Sequence, residues 1–193
     1  MAAGGHFLFT LFKIALLASV YSLLLWAFFK RIGKSKPESW FHRTTINKRS
    51  FLIEAGVSIS IVLLAWLFSY WGDHGWGDHF RIPIGNGLAV EGIDLAEYGY
   101  IKNLQTSKDK DIEMTMFKVH NNVLVGNLDS HFYSYRNQYF IYDMSKKVML
   151  EFSNQAELDN YTSRNDLPDS SELLTFNTNY HQHWNGWRFL LLP

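Results

Sequence analysis

The sequence predicts a membrane-anchored α+β chain: two transmembrane helices, then an antiparallel β-rich exoplasmic domain with one or two short helices. Three observations predict it. Two long apolar stretches lie within the first 70 residues, a basic segment separates them, and past residue 80 short β-branched and aromatic runs alternate with Gly and Asn turns. Residues 1–72 then form the anchor and 73–193 the exoplasmic domain.

The first stretch, Phe7 to Phe29, has 23 residues with Lys13 as its only charge, and the second, Phe51 to Tyr70, has 20 with only Glu54 charged. As helices they measure about 34 and 30 Å, the thickness of a hydrocarbon core. No basic residue precedes Lys13 and no small-residue cleavage site follows, so the first stretch reads as a retained helix, not a signal peptide. Lys13 lies within snorkelling reach of the headgroups, and Glu54 sits one turn inside the opposite end, so the two do not pair. Gly56, Ser58 and Ser60 are expected to make a tight helix–helix contact.

Between the spans, Lys30 to Arg49 carries seven Lys or Arg and one acid, Glu38. The positive-inside rule places this loop (30–50) in the cytoplasm, and the N-terminus and residues 80–193 on the other side, the periplasm in a bacterial inner membrane. The chain from Trp71 onward carries ten basic and sixteen acidic residues, which argues against nucleic acid as a partner. Cysteine is absent, which excludes disulfides, thiolate metal sites and a cysteine nucleophile.

Within the domain, "FRIPI" (80–84) runs into a Gly-Asn-Gly turn, and "EYGYIK" (97–102) is a second short strand. "IEMTMFKVH" (112–120) alternates as one half-buried strand and turns through Asn121-Asn122 into "VLVGN". "QYFIYD" (138–143) and "KVMLEF" (147–152) form a second hairpin. Ser153 or Asn154 caps a helix near 154–161, with Glu157 at the capping-box position. A second helix is expected over 170–185, opened by Asp169 and Glu172, with Leu173, Phe176, Tyr180, Trp184 and Trp187 along one face. Phe117, Val123, Val125, Phe140, Tyr142, Val148 and Leu150 are the core candidates.

The stretch "WGDHGWGDH" (71–79) repeats Trp-Gly-Asp-His, and "YHQHWNGW" (180–187) echoes it. One reading is a metal site from His74, His79, His181 and His183, with Asp73 and Asp78 as oxygen ligands. On a helix, however, His181 and His183 point about 200° apart and cannot readily share an ion. The preferred reading is a membrane-interface layer of Trp71, Trp76, Trp184 and Trp187, whose indoles suit the headgroup region.

The sequence has no G-x-S-x-G, H-E-x-x-H or Walker motif, and Gly85-Asn86-Gly87 lacks the remainder of a dinucleotide fingerprint. No cofactor is therefore expected. The functional expectation is a non-enzymatic binding or scaffold protein that presents its β-rich domain to an envelope partner. Its partners would be the lipid bilayer and another protein or a second copy. The alternatives are a small membrane effector whose helices oligomerise while its soluble domain senses a signal, and a His-based metal protein or enzyme.

Overall fold

The computed structural model describes residues 2–73, 79–93, 97–102, 111–128 and 137–193. The chain divides into two compact units, Met1–Gly77 with Gly186–Pro193, and Asp78–Asn185.

The first unit is helical. Helix α1 (Ala2–Ser35) and helix α3 (Lys48–Leu67) are long and apolar enough to cross a membrane. They pack antiparallel through a small seam of Ile14 and Leu17 against Leu63 and Leu67. Most of their remaining apolar side chains are exposed: Phe12 is 68 %, Leu24 61 % and Val62 66 % accessible. The helix of a soluble core would hide such groups. The tight contact expected at Gly56 is not formed, since a Cβ placed there meets nothing within 4 Å.

The basic segment between them, expected as a loop, is largely helical. Helix α1 runs on to Ser35 and stops just before Lys36-Pro37, because proline disfavours helical backbone in the residue ahead of it. Helix α2 (Trp40–Ile46) follows, capped by the Ser39 hydroxyl, and Asn47 caps α3 by accepting from the Ser50 N–H at 3.2 Å. The packing reason is aromatic: Phe29 sits edge-on to Trp40, Phe41 and Phe51 at centroid distances of 5.8, 5.0 and 5.7 Å. Gly33 permits this approach, since a Cβ there would lie 2.9 Å from the His42 Cα.

The second unit is a pair of antiparallel sheets. Strands β1 (His79–Gly85), β2 (Leu88–Ile93), β3 (Gly99–Ile101) and β4 (Ile112–Met114) form one sheet in sequence order. The other contains β5 (Met116–His120), β6 (Val123–Asn127), β7 (Tyr139–Asp143), β8 (Val148–Phe152) and β9 (Leu174–Thr175), in the order β8-β7-β6-β5-β9. Turns close at left-handed residues as expected, with Asn121 at φ 47° and Asn122 at φ 65°.

Residues 112–120, expected as one strand, are broken at Thr115. The Asn127 carboxamide oxygen accepts from both the Thr115 and Met116 N–H groups, at 3.1 and 2.7 Å, and its amide nitrogen donates to the Thr115 hydroxyl. The chain crosses here from one sheet to the other, and the extra residue shifts the alternation by one. Ile112 and Met114 face the shared core before the break and Phe117 after it, while Met116 turns to the opposite face. A side-chain period of two makes a one-residue insertion sufficient for this inversion.

Helix α4 (Gln155–Arg164) covers the outer face of the five-stranded sheet. Asn154, the N-cap, accepts from the Glu157 N–H and Glu157 accepts from the Ser153 N–H, both at 3.0 Å, a capping box whose return bond falls one residue ahead of the cap. Leu158 and Tyr161 pack beside Val125, Ile141 and Phe152. Helix α4 leaves Val148 and Leu150 exposed, at 51 % and 38 %. These two were expected in the core, but among the described residues β8 is an edge strand. Val123 is half-buried, and Phe117, Val125, Phe140 and Tyr142 are buried as expected.

The helix expected over 170–185 is shorter and later. Asp169 caps only a 3₁₀ turn, Ser170–Glu172. Leu174 and Thr175 are drawn into β9 by pairing with Phe117 and Met116, and α5 (Phe176–Trp184) starts after Thr175, which accepts from the Thr178 N–H. Strand hydrogen bonds to β5 outweigh the helical preference of this segment. The chain ends in a short helix, α6 (Trp187–Leu191).

Candidate functional site

The strand register brings together residues that are far apart in sequence. On the four-stranded sheet Arg81 pairs with Glu91, Glu91 with Tyr100, and Tyr100 with Glu113. These four side chains lie in one row across β1 to β4. Their neighbours Ile82, Val90, Ile101, Ile112 and Met114 point to the opposite face and fill the core. Alternation therefore places the row on the outer face, yet it is far from solvated. The Arg81 and Glu91 side chains are each 15 % exposed, Tyr100 is 9 % and Glu113 is 7 % exposed.

Glu91 is the electrostatic centre of the row. One carboxylate oxygen lies 3.4 Å from the Arg81 guanidinium and the other 3.1 Å from the Lys102 ammonium. The hydrogen bond to Glu91 raises the Lys102 pKa above the ordinary lysine value. The same ammonium lies 5.2 Å from the Tyr100 ring centroid. Burial pushes the Tyr100 phenol up, with Lys102 pulling it back, so Tyr100 is a neutral hydrogen-bond donor near pH 7. Glu91 is occupied by two cations. The arrangement of donors, acceptors and charges suits recognition of a polar group.

Helix α5 supports the row from behind. Phe176, Tyr180 and Trp184 share one helix face, at spacings of four. Phe176 is fully buried, Tyr180 meets Phe80 edge-on at 5.1 Å, and the Trp184 indole N–H donates to the Arg81 carbonyl at 2.7 Å. The helical face read from the sequence is real, and its occupant is the core of this unit. Two glycines admit the Phe176 ring: a Cβ at Gly99 would lie 2.5 Å from it, and one at Gly92, 3.0 Å.

The expected interface residues fall in different places. Trp71 and Trp187 both belong to the helical unit and are exposed, at 62 % and 59 %. Trp184 belongs to the β unit and is half-buried there. Trp76, His74 and Asp78 lie outside the described residues. His79 is exposed at the start of β1, His181 is exposed on α5 and His183 is half-buried on it. Among the described residues no three His, Asp or Glu are grouped to hold a metal ion.

The helical unit contains one association that the sequence did not suggest. The Tyr21 hydroxyl donates to the Leu191 carbonyl at 2.7 Å, and the Lys13 ammonium lies 4.3 Å from the Phe189 ring centroid. Helix α6 therefore lies along α1, and Lys13 has a local aromatic partner. The charged row was also missed, because each of its members is an ordinary polar position in a two-residue alternation. Only register shows that four such positions coincide. No protein-family model, curated protein or solved structure matches the chain.

Proposed function

We propose that this chain is a membrane-anchored binding protein, in which α1 and α3 cross a bilayer and the β unit offers the charged row to a protein partner outside the cytoplasm. The observation that carries this reading is the row itself. Arg81 and Glu91 hold charge on a largely covered face, and the row's rim at Lys102 is 55 % exposed, where charge can steer a polar partner.

Anchorage is supported by the exposed apolar side chains around both long helices. The exposed Phe189 and Leu190 of α6 extend the same apolar surface, so the chain's C-terminal segment also enters the bilayer. Orientation follows from the basic residues at the α1–α2–α3 end, and Trp71 and Trp187 lie at the headgroup layer.

The absence of native cysteine makes a direct test straightforward. A cysteine at Lys146, whose side chain is 78 % exposed, should react with a membrane-impermeant maleimide in intact cells. Reaction only after permeabilisation would refute the exoplasmic placement. Binding is tested by a photo-crosslinking residue at Lys102, at the rim of the row. The expected result is a discrete adduct with a second protein that Glu91→Gln abolishes. An adduct indifferent to Glu91 would overturn the assignment.

One observation favours a second reading, the small membrane effector. A groove of about 530 Å³ runs between α1 and α3, lined by small residues that include Ala15, Ala18, Ser19, Gly56 and Ser60. Small residues let helices approach closely in a bilayer, and this groove fits oligomerising helices. A cytoplasmic β unit in the maleimide experiment would favour this reading.

A further inference from the structure

We infer that the helical unit holds the headgroup of an ethanolamine phospholipid, in a pocket formed where α1, α2 and α3 meet. The inference rests on the reading that α1 and α3 cross a bilayer. The pocket has a volume of about 470 Å³, and Phe29, Trp40, Arg43, Phe51 and Glu54 are among the residues that line it. Small-molecule sites commonly measure about 300–1,000 Å³. Helix α1 supplies Phe29, α2 supplies Trp40 and Arg43, and α3 supplies Phe51 and Glu54. Two opposite charges thus share one pocket. Neither of them makes an ion pair among the described residues.

Glu54 calls for a cation. It is the fourth residue of the second apolar stretch, about 4.5 Å inside its end. A carboxylate at that depth is costly without a partner, and ionisable groups in such segments mark functional sites. The Ser50 hydroxyl donates to Glu54 Oε1 at 2.7 Å, which orients the carboxylate and leaves Oε2 for a cation. Phe29 lies edge-on to Trp40 and Phe51, so aromatic rings stand beside the two charges. Such rings attract an ammonium group. Arg43 in turn suits a phosphate, which a planar guanidinium binds through parallel N–H groups.

The ligand follows from charge complementarity. An anionic lipid would occupy Arg43 and leave Glu54 facing further negative charge. A metal ion would meet a single carboxylate beside a guanidinium, where calcium takes about six to eight oxygens. A choline headgroup has no N–H to offer, and a serine headgroup adds a carboxylate that Glu54 repels. An ethanolamine phospholipid carries a phosphate for Arg43 and, on a short linker, a primary ammonium whose N–H groups donate to Glu54. Leu25 also lines the pocket and is itself exposed, so the acyl chains have apolar surface to follow. Charged pockets between membrane helices recognise lipid headgroups by the same chemistry. The inference concerns the helical unit alone and does not involve the charged row.

The test uses the full chain, reconstituted in nanodiscs of equal parts phosphatidylethanolamine, phosphatidylcholine and phosphatidylglycerol with identical acyl chains. Native mass spectrometry after release into detergent then weighs the lipid each chain retains. Phosphatidylethanolamine should be retained over either competitor by about tenfold, the worth of one charge-assisted hydrogen bond. Glu54→Gln should erase its advantage over phosphatidylglycerol, and Arg43→Gln should lower its retention about tenfold. Glu38→Gln, outside the pocket, should change neither ranking nor amount. In the unaltered chain, retention should fall stepwise as the headgroup nitrogen is methylated, a measurement that needs no substitution. Equal retention of the three lipids would overturn the proposal, and so would a preference for phosphatidylglycerol. A flat response to methylation, or an ethanolamine preference that Glu54→Gln leaves intact, would overturn it as well. Carbonate washing of native membranes separates the site from the anchoring it rests on. A chain that washes off refutes both, whereas a chain that stays and ranks no lipid refutes the site alone.

Discussion

Gly99→Ala probes the packing that positions the charged row. An added methyl would lie 2.5 Å from Cδ2 of Phe176 and 2.5 Å from Cγ1 of Val90, where carbon contacts normally sit at about 3.5–4.0 Å. Neither neighbour has room to retreat. Phe176 and Val90 are both fully buried, and the far side of the ring faces the Gly92 backbone. Overpacking of this kind costs about 1–3 kcal/mol, and two simultaneous clashes put Gly99→Ala at about 2–3 kcal/mol. Each 1.4 kcal/mol is about a tenfold change in the opening constant. The assay is hydrogen exchange of β2 and β3 amides in the detergent-solubilised full chain, which reads the stability of this unit separately from the helices. Phe176→Ala alone should cost about 3–5 kcal/mol through the cavity it leaves. In the double variant the methyl enters space the ring has vacated, so the combined cost should fall at least about 1 kcal/mol short of the sum. A change below about 0.5 kcal/mol for Gly99→Ala, or strict additivity in the cycle, would refute the packing argument.

Three further outcomes are expected. Glu91→Gln removes the carboxylate that holds Arg81 and Lys102, and should destabilise the four-stranded sheet by about 1–3 kcal/mol, less than a fully buried pair because Lys102 is half exposed; guanidinium titration of the variant checks it. The raised pKa values of Tyr100 and Lys102 both act at alkaline pH. Each contributes stability that is complete below its ordinary value, about 10, and is lost as pH rises through the folded-state value; denaturation midpoints should therefore fall above about pH 10, less steeply in Tyr100→Phe. Trp184→Phe keeps the ring packing and deletes the donor to the Arg81 carbonyl, so β1 amides should exchange faster by about 0.5–1.5 kcal/mol while α4 amides are unchanged.

The elements legible in the sequence share a common character: their cause is local. The two apolar helices follow from composition and length. The turns at Asn86 and Asn121-Asn122 follow from side chains that tolerate positive φ, and α4 follows from a capping box whose residues are neighbours in the chain. Even the face formed by Phe176, Tyr180 and Trp184 was readable from spacing. The face gave no indication of what it packs against, and the match of aromatic rings to a membrane interface was as good as their match to a β core.

What tertiary structure decided depends on partners distant in sequence. Val148 and Leu150 alternate as well as any core strand, and they are exposed because, among the described residues, β8 has one strand neighbour and α4 stops short of them. The break at Thr115 comes from the side chain of Asn127, which lies in the next strand. Leu174 and Thr175 leave the expected helix because β5 offers them ladder hydrogen bonds. The charged row exists only once four strands have taken their register, with Arg81, Glu91, Tyr100 and Glu113 each contributed by a different one. Hydrophobic period and capping chemistry are written within a few residues of where they act. Register, edge position and burial are properties of pairs of segments, and a single chain read in order does not state which segments will meet.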